Sequence, residues 1–559
     1  MNAGYRPAVV LMLTTLLAGA CTRDAGDAEP AQVRSGGTVV VAVPTDLDRV
    51  NPLLAGEKFT QQVNRFLLFV PLLRLAPDLE YEPALAERWE LLGDTGVVFH
   101  LRGDVRWHDG TPTRARDVVF TFERARDPDT AYPNAEYFAH WTGADEIDSL
   151  TVRVRFAPHA EPLAGVPFLP VVPAHLLDSI PAARLKDAAF NRSPVGNGPF
   201  RFAEYRANDR WVFTANPDFP EALGRPHLDR IVWRIIPDGT ARVTELRTGH
   251  ADVLLNPASE HFAASDSVAG ITGIVTAGRT YGLIGWNHRR PPLGDARVRR
   301  ALGHAIDRAE IVRTLRGGHG ELAVGPIAPF HWAYDSTLAP LPFSRDSALA
   351  LLGDAGIADR NGDGRLEQPD GAPFRIELKY PTGNAINRDM AALIDADLEA
   401  VGVDVQLRAL EFNTMVQDFT SAARDFDAIL LGWESDFRIN LEGLFHSRAE
   451  AGPLQFAGYR NPAVDSLIDR TLQALPRQEA RPLYARLQRI MRDDQPWTFL
   501  YYYPDLALVS DRVQDVEMDI RGELVNVSRW WVQGPPAGAA ASPGDSAGRA
   551  PGPAPAPAR

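Results

Sequence analysis

The chain has 559 residues, of which 45% are hydrophobic and 23% charged, and its formal net charge is −14. That length exceeds what one hydrophobic core supports, so two to four domains are expected, and the acidity argues against nucleic acid as a partner. A single cysteine, Cys21, excludes an internal disulfide.

The first stretch, "MNAGYRPAVVLMLTTLLAGACTRD", places Arg6 before an uncharged run from Pro7 to Ala20. The run is shorter than the roughly 20 apolar residues a spanning helix needs, and it fits the apolar part of a secretory signal. "LAGA" directly before Cys21 resembles a bacterial lipobox. That resemblance implies cleavage after residue 20, lipid on the Cys21 sulfur, and export. Residues 21–36 are polar, small and Gly-rich, as a flexible tether is. Residues 534–559 are almost entirely Gly, Ala, Pro and Ser and are expected to be disordered. The folded body is then Gly37 to Gln533.

In chain order, "GTVVVAVP" is a predicted strand closed by Pro44. Thr45, Asp46 and Asn51 follow its end, where α/β clefts form, and are candidate cleft residues; an Asx-rich turn is the plainer reading. Val97–Leu101 is predicted to make a hairpin through Gly103-Asp104 with the strand that follows. Thr113 is placed as the N-cap of a helix carrying Val118, Val119, Phe122 and Ala125. "GNGPF" (residues 196–200) is a tight backbone and not a phosphate loop, because no Lys-Ser/Thr follows.

Val298, Ala301, Leu302, Ala305 and Ile306 recur at helical spacing behind a capping Asp295, and Asp307 with Glu310 forms a capping-box pattern for the next helix. "DRNGDGRLEQPD" sets Asp359, Asn361, Asp363 and Asp370 at positions 1, 3, 5 and 12 of a calcium-loop pattern. The short Asp370 and the flanking Pro369 and Gly371 favour a surface hairpin over a structural calcium. Helix, Gly402 and an alternating strand then make an α/β unit.

Asp427–Trp433, in "DAILLGWESDFRIN", is an apolar strand, and Asp436 stands just past its end. A carboxylate in a cleft needs a cation or hydrogen bonds, and the nearest cation in sequence is Arg438. The 13 histidines show no metal spacing such as H-E-x-x-H, so an enzyme is the weaker class.

Several segments in this order resemble the dipeptide/oligopeptide-binding family of bacterial ABC-transporter solute-binding proteins: "YEPALAERWELLGDTGVVFHLRGDVRWHDGTPTRARDVVFTFERA", "SPVGNGPFRFAEY", "NPDF", "RIIPDGTARVTELRTGHADV", "GWNHRRPPLGDARVRRALGHAIDRAEIV" and "FDAILLGWESDF". The resemblance implies an α/β, two-lobed clamp with a discontinuous first lobe and an extra inserted subdomain. Residues 37–75 and 190–284 would form the first subdomain and 76–189 the insert. Residues 285–500 would be the second lobe, and 501–533 would return to the first, with crossings near Gly285 and Tyr501.

In peptide-binding members the acid of a W-x-x-D segment pairs with the ligand's α-ammonium, which points to Trp433 and Asp436. Arg388 and Arg438 are candidates for the carboxylate end. "FRIN" replaces the usual continuation after that acid, which keeps metal chelates, oligosaccharides and opines as alternative ligands. A secreted, lipid-anchored hydrolase is a rival from another class. The expectation is a monomeric, lipid-anchored, extracytoplasmic receptor without a cofactor. It would capture short peptides by hinge closure and hand them to an ABC permease.

Overall fold

The computed structural model describes residues 33–265, 268–473 and 475–533. The leader, Cys21, most of the tether and the tail lie outside these residues. Among the described residues one mixed sheet of 11 strands runs through both lobes. From one edge its principal strands are Asp404–Leu410, Arg375–Pro381, Ala428–Glu434, Ile271–Trp286, Trp497–Ser510, Val253–Leu255, Thr38–Val43, Arg230–Ile235, Arg210–Ala215 and Phe200–Arg206.

Two long antiparallel strands join the lobes. Ile271–Ala277 lies against Pro504–Ser510, whose far edge holds Val253–Leu255 of the first lobe. Thr280–Trp286 lies against Ala428–Glu434 of the second. Between them the register breaks at Ala277/Tyr281. Trp497–Ser510 is buried at both ends and only half-buried over Tyr503, Pro504 and Asp505, as expected of a chain leaving one core for another. Both strands change partners between these two stretches, at the Ala277/Tyr281 break and over Tyr503–Asp505. Gly278 marks the break, because a Cβ there would collide with the Tyr503 carbonyl.

The main core of the first lobe runs from Val39 and Val41 through Phe99, Trp107 and Trp233 to Val509 and Trp530, with a smaller cluster of Val243, Leu246, Leu254, Phe262, Leu506 and Leu508 on the other face of its sheet. The insert contributes a four-stranded antiparallel sheet, ordered Ala86–Leu91, Gly96–Leu101, Thr151–Phe156 and Trp141–Asp148. The hairpin expectation fails here, because Gly96–Leu101 pairs with the strands before and well after it. The following segment turns inward instead. Val105 and Trp107 are buried, and the Trp107 indole donates to Asp117 at 3.2 Å. The helix starts one residue later than expected, at Ala115, with Arg114 as N-cap. Asp117 accepts from the Arg114 N–H at 2.9 Å, while the Thr113 hydroxyl faces Asn197. At Gly196 and Gly198 a Cβ would strike the Leu68 and Leu67 carbonyls, which is why that tight backbone uses glycine.

The second lobe has a core on each face of its sheet. Ile429 and Leu431 join one, while Ala428 and Leu430 join the other, following the alternation of a strand. The helix Ala296–Ala305 covers the second face. Its N-cap Asp295 accepts from the Arg297 N–H at 2.8 Å, and Val298, Ala301, Leu302 and Ala305 are fully buried. Burying a side chain such as Val or Leu stabilises by about 1.5–3 kcal/mol. No described helix is long and apolar enough to cross a membrane.

Candidate functional site

The strand Ala428–Glu434 delivers its last residues to the junction of the lobes. Its end is clamped to the long strand beside it: the Ser435 N–H donates to the Arg279 carbonyl at 2.8 Å, and the Arg279 guanidinium donates back to the Ser435 carbonyl at 3.2 Å. Arg279 also pairs with Glu434 and lies 4.5 Å from the Phe437 ring centroid. Arg279 is thereby fully engaged, and Asp436 is held out into the cleft.

The clamp fixes the direction in which the Asp436 side chain leaves the strand. Asp436 keeps exposed surface although protein surrounds it on most sides, because it faces a cavity of about 120 Å³ between the lobes. The insert supplies Glu136, Tyr137, His140 and Glu161 to this cavity, and the second lobe supplies Trp332, Asp436, Arg438 and Tyr484. Tyr137 faces the Asp436 carboxylate across the cleft and favours its charged form. Burial raises the Asp436 pKa above the ordinary carboxylate value, and Tyr137 and Arg279 only partly offset it. Burial, with Asp436 nearby, raises Glu136 as well. His331 supplies no cation, because burial pushes it down to about 3. Among the described residues Asp436 forms no ion pair, so the cavity holds excess negative charge that a cation would neutralise.

Other contacts close the cleft around it. Phe168 of the insert stacks on Phe437 at 4.9 Å. Arg477 pairs with Glu80 at 2.7 Å. Arg438 donates to the Leu79 carbonyl at 3.3 Å, lies 3.7 Å from Glu161, and sits over the Tyr81 ring at 4.7 Å. On the hinge side Lys58 bridges Asp505 at 2.7 Å and Glu523 at 2.8 Å. Burial opposes the Lys58 charge, yet the two carboxylates hold its pKa above the usual value.

The structure separates the sequence candidates. Trp433 and Asp436 line a small cavity of about 30 Å³ together, with Trp433 packed on Trp497 at 5.6 Å. Arg438 lines the interlobe cavity but is already engaged by the other lobe. Thr45, Asp46 and Asn51 line neither of these cavities. Thr45 is exposed in a turn. Asp46 accepts from the Tyr205 hydroxyl at 2.9 Å, the Asn208 N–H at 3.2 Å and the Trp211 indole at 2.7 Å, so it ties down the Phe200–Ala215 hairpin. Asn51 is fully buried and donates to Asn191 at 3.0 Å. Arg388 is on the surface, paired with its neighbour Asp389 at 2.9 Å. Tyr137, Glu161 and Arg279 carried no local sequence signal, since their importance depends on what faces them.

The acidic loop also differs from its expected pattern. Asp359, Asp363 and Glu367 converge, whereas Asp370 caps a separate turn through the Ala372 N–H at 3.0 Å. Asp359 accepts from Gly362 and Gly364 at 2.6 and 2.9 Å. The Asn361 amide donates to Asp363 at 3.1 Å and to Glu367 at 2.7 Å. The hairpin's own donors thus already serve these carboxylates.

Two lobes on paired crossing strands, with a polar cavity at their junction, define a clamp-type binding protein. Residues 80–447 match the bacterial extracellular solute-binding proteins of family 5 (its middle region), and the chain belongs to that family. Its members are substrate-binding proteins of transport systems. The chain is 27% identical over 534 residues to the oligopeptide-binding protein AppA of Bacillus subtilis, covering 94% of this chain and 97% of that one. It is 29% identical to heme-binding protein A of Haemophilus influenzae, over 78% and 81% of the two chains. The structure of AppA from Bacillus subtilis in complex with a nonapeptide superposes with a TM-score of 0.77 at 26% identity, covering 90% of this chain and all of that one.

Proposed function

We propose that the protein captures short peptides through their α-ammonium and delivers them to an ABC import permease. The observation that carries this reading is Asp436, a carboxylate without an ion-pair partner among the described residues, facing a cavity between the lobes. An ammonium there gains a charge-assisted hydrogen bond and relieves the repulsion between Asp436 and Glu136. Peptide binding by AppA and by the di/tripeptide-binding protein 2 of Pseudomonas aeruginosa, 28% identical, supports the same reading. Closure about the two crossing strands would bury the ligand and select the closed state. Cys21 would carry the lipid that holds a monomeric receptor outside the cytoplasm, beside its permease.

The test is thermal unfolding of the purified protein with di- to pentapeptides, each free and N-acetylated. A ligand at about 100 times its Kd adds ~2.7 kcal/mol of stability. Stabilisation by free peptides only is the expected result. Equal stabilisation by both forms would remove the ammonium from the reading, and none from either would remove the peptide. For the anchor, mass spectrometry of the membrane-extracted protein should find a lipidated N-terminal cysteine.

A further inference from the structure

A chamber of about 30 Å³ adjoins the interlobe cavity on its second-lobe side, and Asp436, Arg438, Ile439 and Asn440 line both spaces. Tyr281, Ile327, His331, Trp433, Ser435 and Leu441 are among its other walls.

Ser435 carries the unsatisfied group of this chamber. The residue is 6% exposed, and its hydroxyl is buried without a hydrogen-bond partner, although buried hydroxyls ordinarily have one. Its backbone is held from both sides. The Ser435 N–H donates to the Arg279 carbonyl at 2.8 Å, and the Ser435 carbonyl accepts from the Arg279 guanidinium at 3.2 Å. The polar walls around it carry little free charge. Burial pushes His331 down to about 3 and raises the Tyr281 phenol well above its usual value, so both are neutral near pH 7. Glu434 is paired with Arg279, and Arg438 is turned to Leu79 and Glu161 of the other lobe. The chamber therefore offers an unused neutral hydroxyl, apolar walls from Ile327, Trp433 and Leu441, and Asp436 where it meets the cleft.

We propose that this chamber receives the first side chain of the captured peptide, and that the Ser435 hydroxyl selects a serine there. The inference rests on the reading of Asp436 as the ammonium site. An α-ammonium on Asp436 stands where chamber and cavity meet. The adjoining Cα can then direct its side chain into the smaller space and the rest of the peptide into the larger. A water molecule needs roughly 10–15 Å³ of cavity, so the chamber takes about two heavy atoms, enough for a hydroxymethyl group and too few for a leucine side chain. A serine hydroxyl can donate to Ser435 or accept from it, which a methyl group cannot. A charged side chain would lose its hydration there without a free counter-charge, since the ammonium already occupies Asp436.

Calorimetry on the full chain tests this with Ser-Ala, Ala-Ala and Leu-Ala, each free and N-acetylated. Ser-Ala is expected to bind about two- to tenfold more tightly than Ala-Ala, the range of one neutral hydrogen bond. Leu-Ala should bind more weakly than both, because overfilling a packed site is unfavourable. Ser435→Ala should remove the advantage of Ser-Ala over Ala-Ala. Leu441→Ala enlarges the chamber and should improve Leu-Ala relative to Ala-Ala, a gain that a damaged fold cannot produce. If acetylation abolishes binding while the three free dipeptides bind alike, Asp436 keeps its ligand and the chamber assignment falls. If acetylated and free forms bind alike, the ammonium reading falls and takes the chamber assignment with it. A serine preference that survives Ser435→Ala would set another group against the ligand's hydroxyl and overturn the role of Ser435. Failure of every free dipeptide to bind would overturn both assignments.

Discussion

The ring of Phe168 lies on that of Phe437 across the cleft, centroids 4.9 Å apart and planes 16° from parallel. One ring comes from each lobe, so this contact exists only when the lobes are together. An aromatic pair contributes about 0.5–1.5 kcal/mol beyond its buried area. Phe437→Ala should therefore shift the protein toward an open form and weaken ligand binding severalfold. Small-angle scattering without ligand should show a larger radius of gyration than the wild type; an unchanged radius would mean that other contacts set closure.

On the proposed reading, Asp436 trades stability for binding. Its folded-state pKa is raised by burial, so the native state binds its proton more readily than the unfolded chain does. The sign follows from linkage: its contribution to stability falls as pH rises from the ordinary carboxylate value through the raised one. Asp436→Asn should leave the ligand-free protein at pH 7 at least as stable as the wild type while abolishing the response to free peptides. Loss of both stability and binding would make Asp436 a structural residue.

Peptide affinity should carry the same signature in pH. The ammonium needs an ionised Asp436, so affinity is expected to fall on acidification, starting above the range in which an exposed aspartate titrates. Calorimetry between about pH 4 and pH 7, which spans the ordinary carboxylate value and the region above it, would show this as proton release on binding at the acidic end. A flat profile would place another group against the ammonium.

Gly278 sits where the long strands change register, and a Cβ there would meet the Tyr503 carbonyl. Gly278→Ala forces backbone apart at the crossing. Overpacking of this kind typically costs about 1–3 kcal/mol, so denaturant unfolding should show a loss of that order with weaker ligand binding. A neutral substitution would show that the crossing has slack.

The Asp359–Glu367 hairpin is expected to be indifferent to calcium, since backbone N–H groups and the Asn361 amide already serve its carboxylates. Millimolar calcium should leave the thermal midpoint unchanged. A rise that Glu367→Gln removes would replace the amide by an ion.

What the sequence by itself determined were the features whose physics is local. The buried face of Ala296–Ala305, its Asp295 cap, the strand through Trp433 and the position of Asp436 beyond it all follow from spacing over a few residues. What faces those elements is a property of the folded chain. Asp46 looked as free as Asp436, yet Tyr205 and Trp211, 159 and 165 residues away, occupy its oxygens. Asp436 stays without an ion pair because Arg279, 157 positions earlier, is already taken by Glu434. Sequence places a charge on an element, but its partner is chosen by contacts between distant segments, and that choice decides whether the charge supports the fold or waits for a ligand.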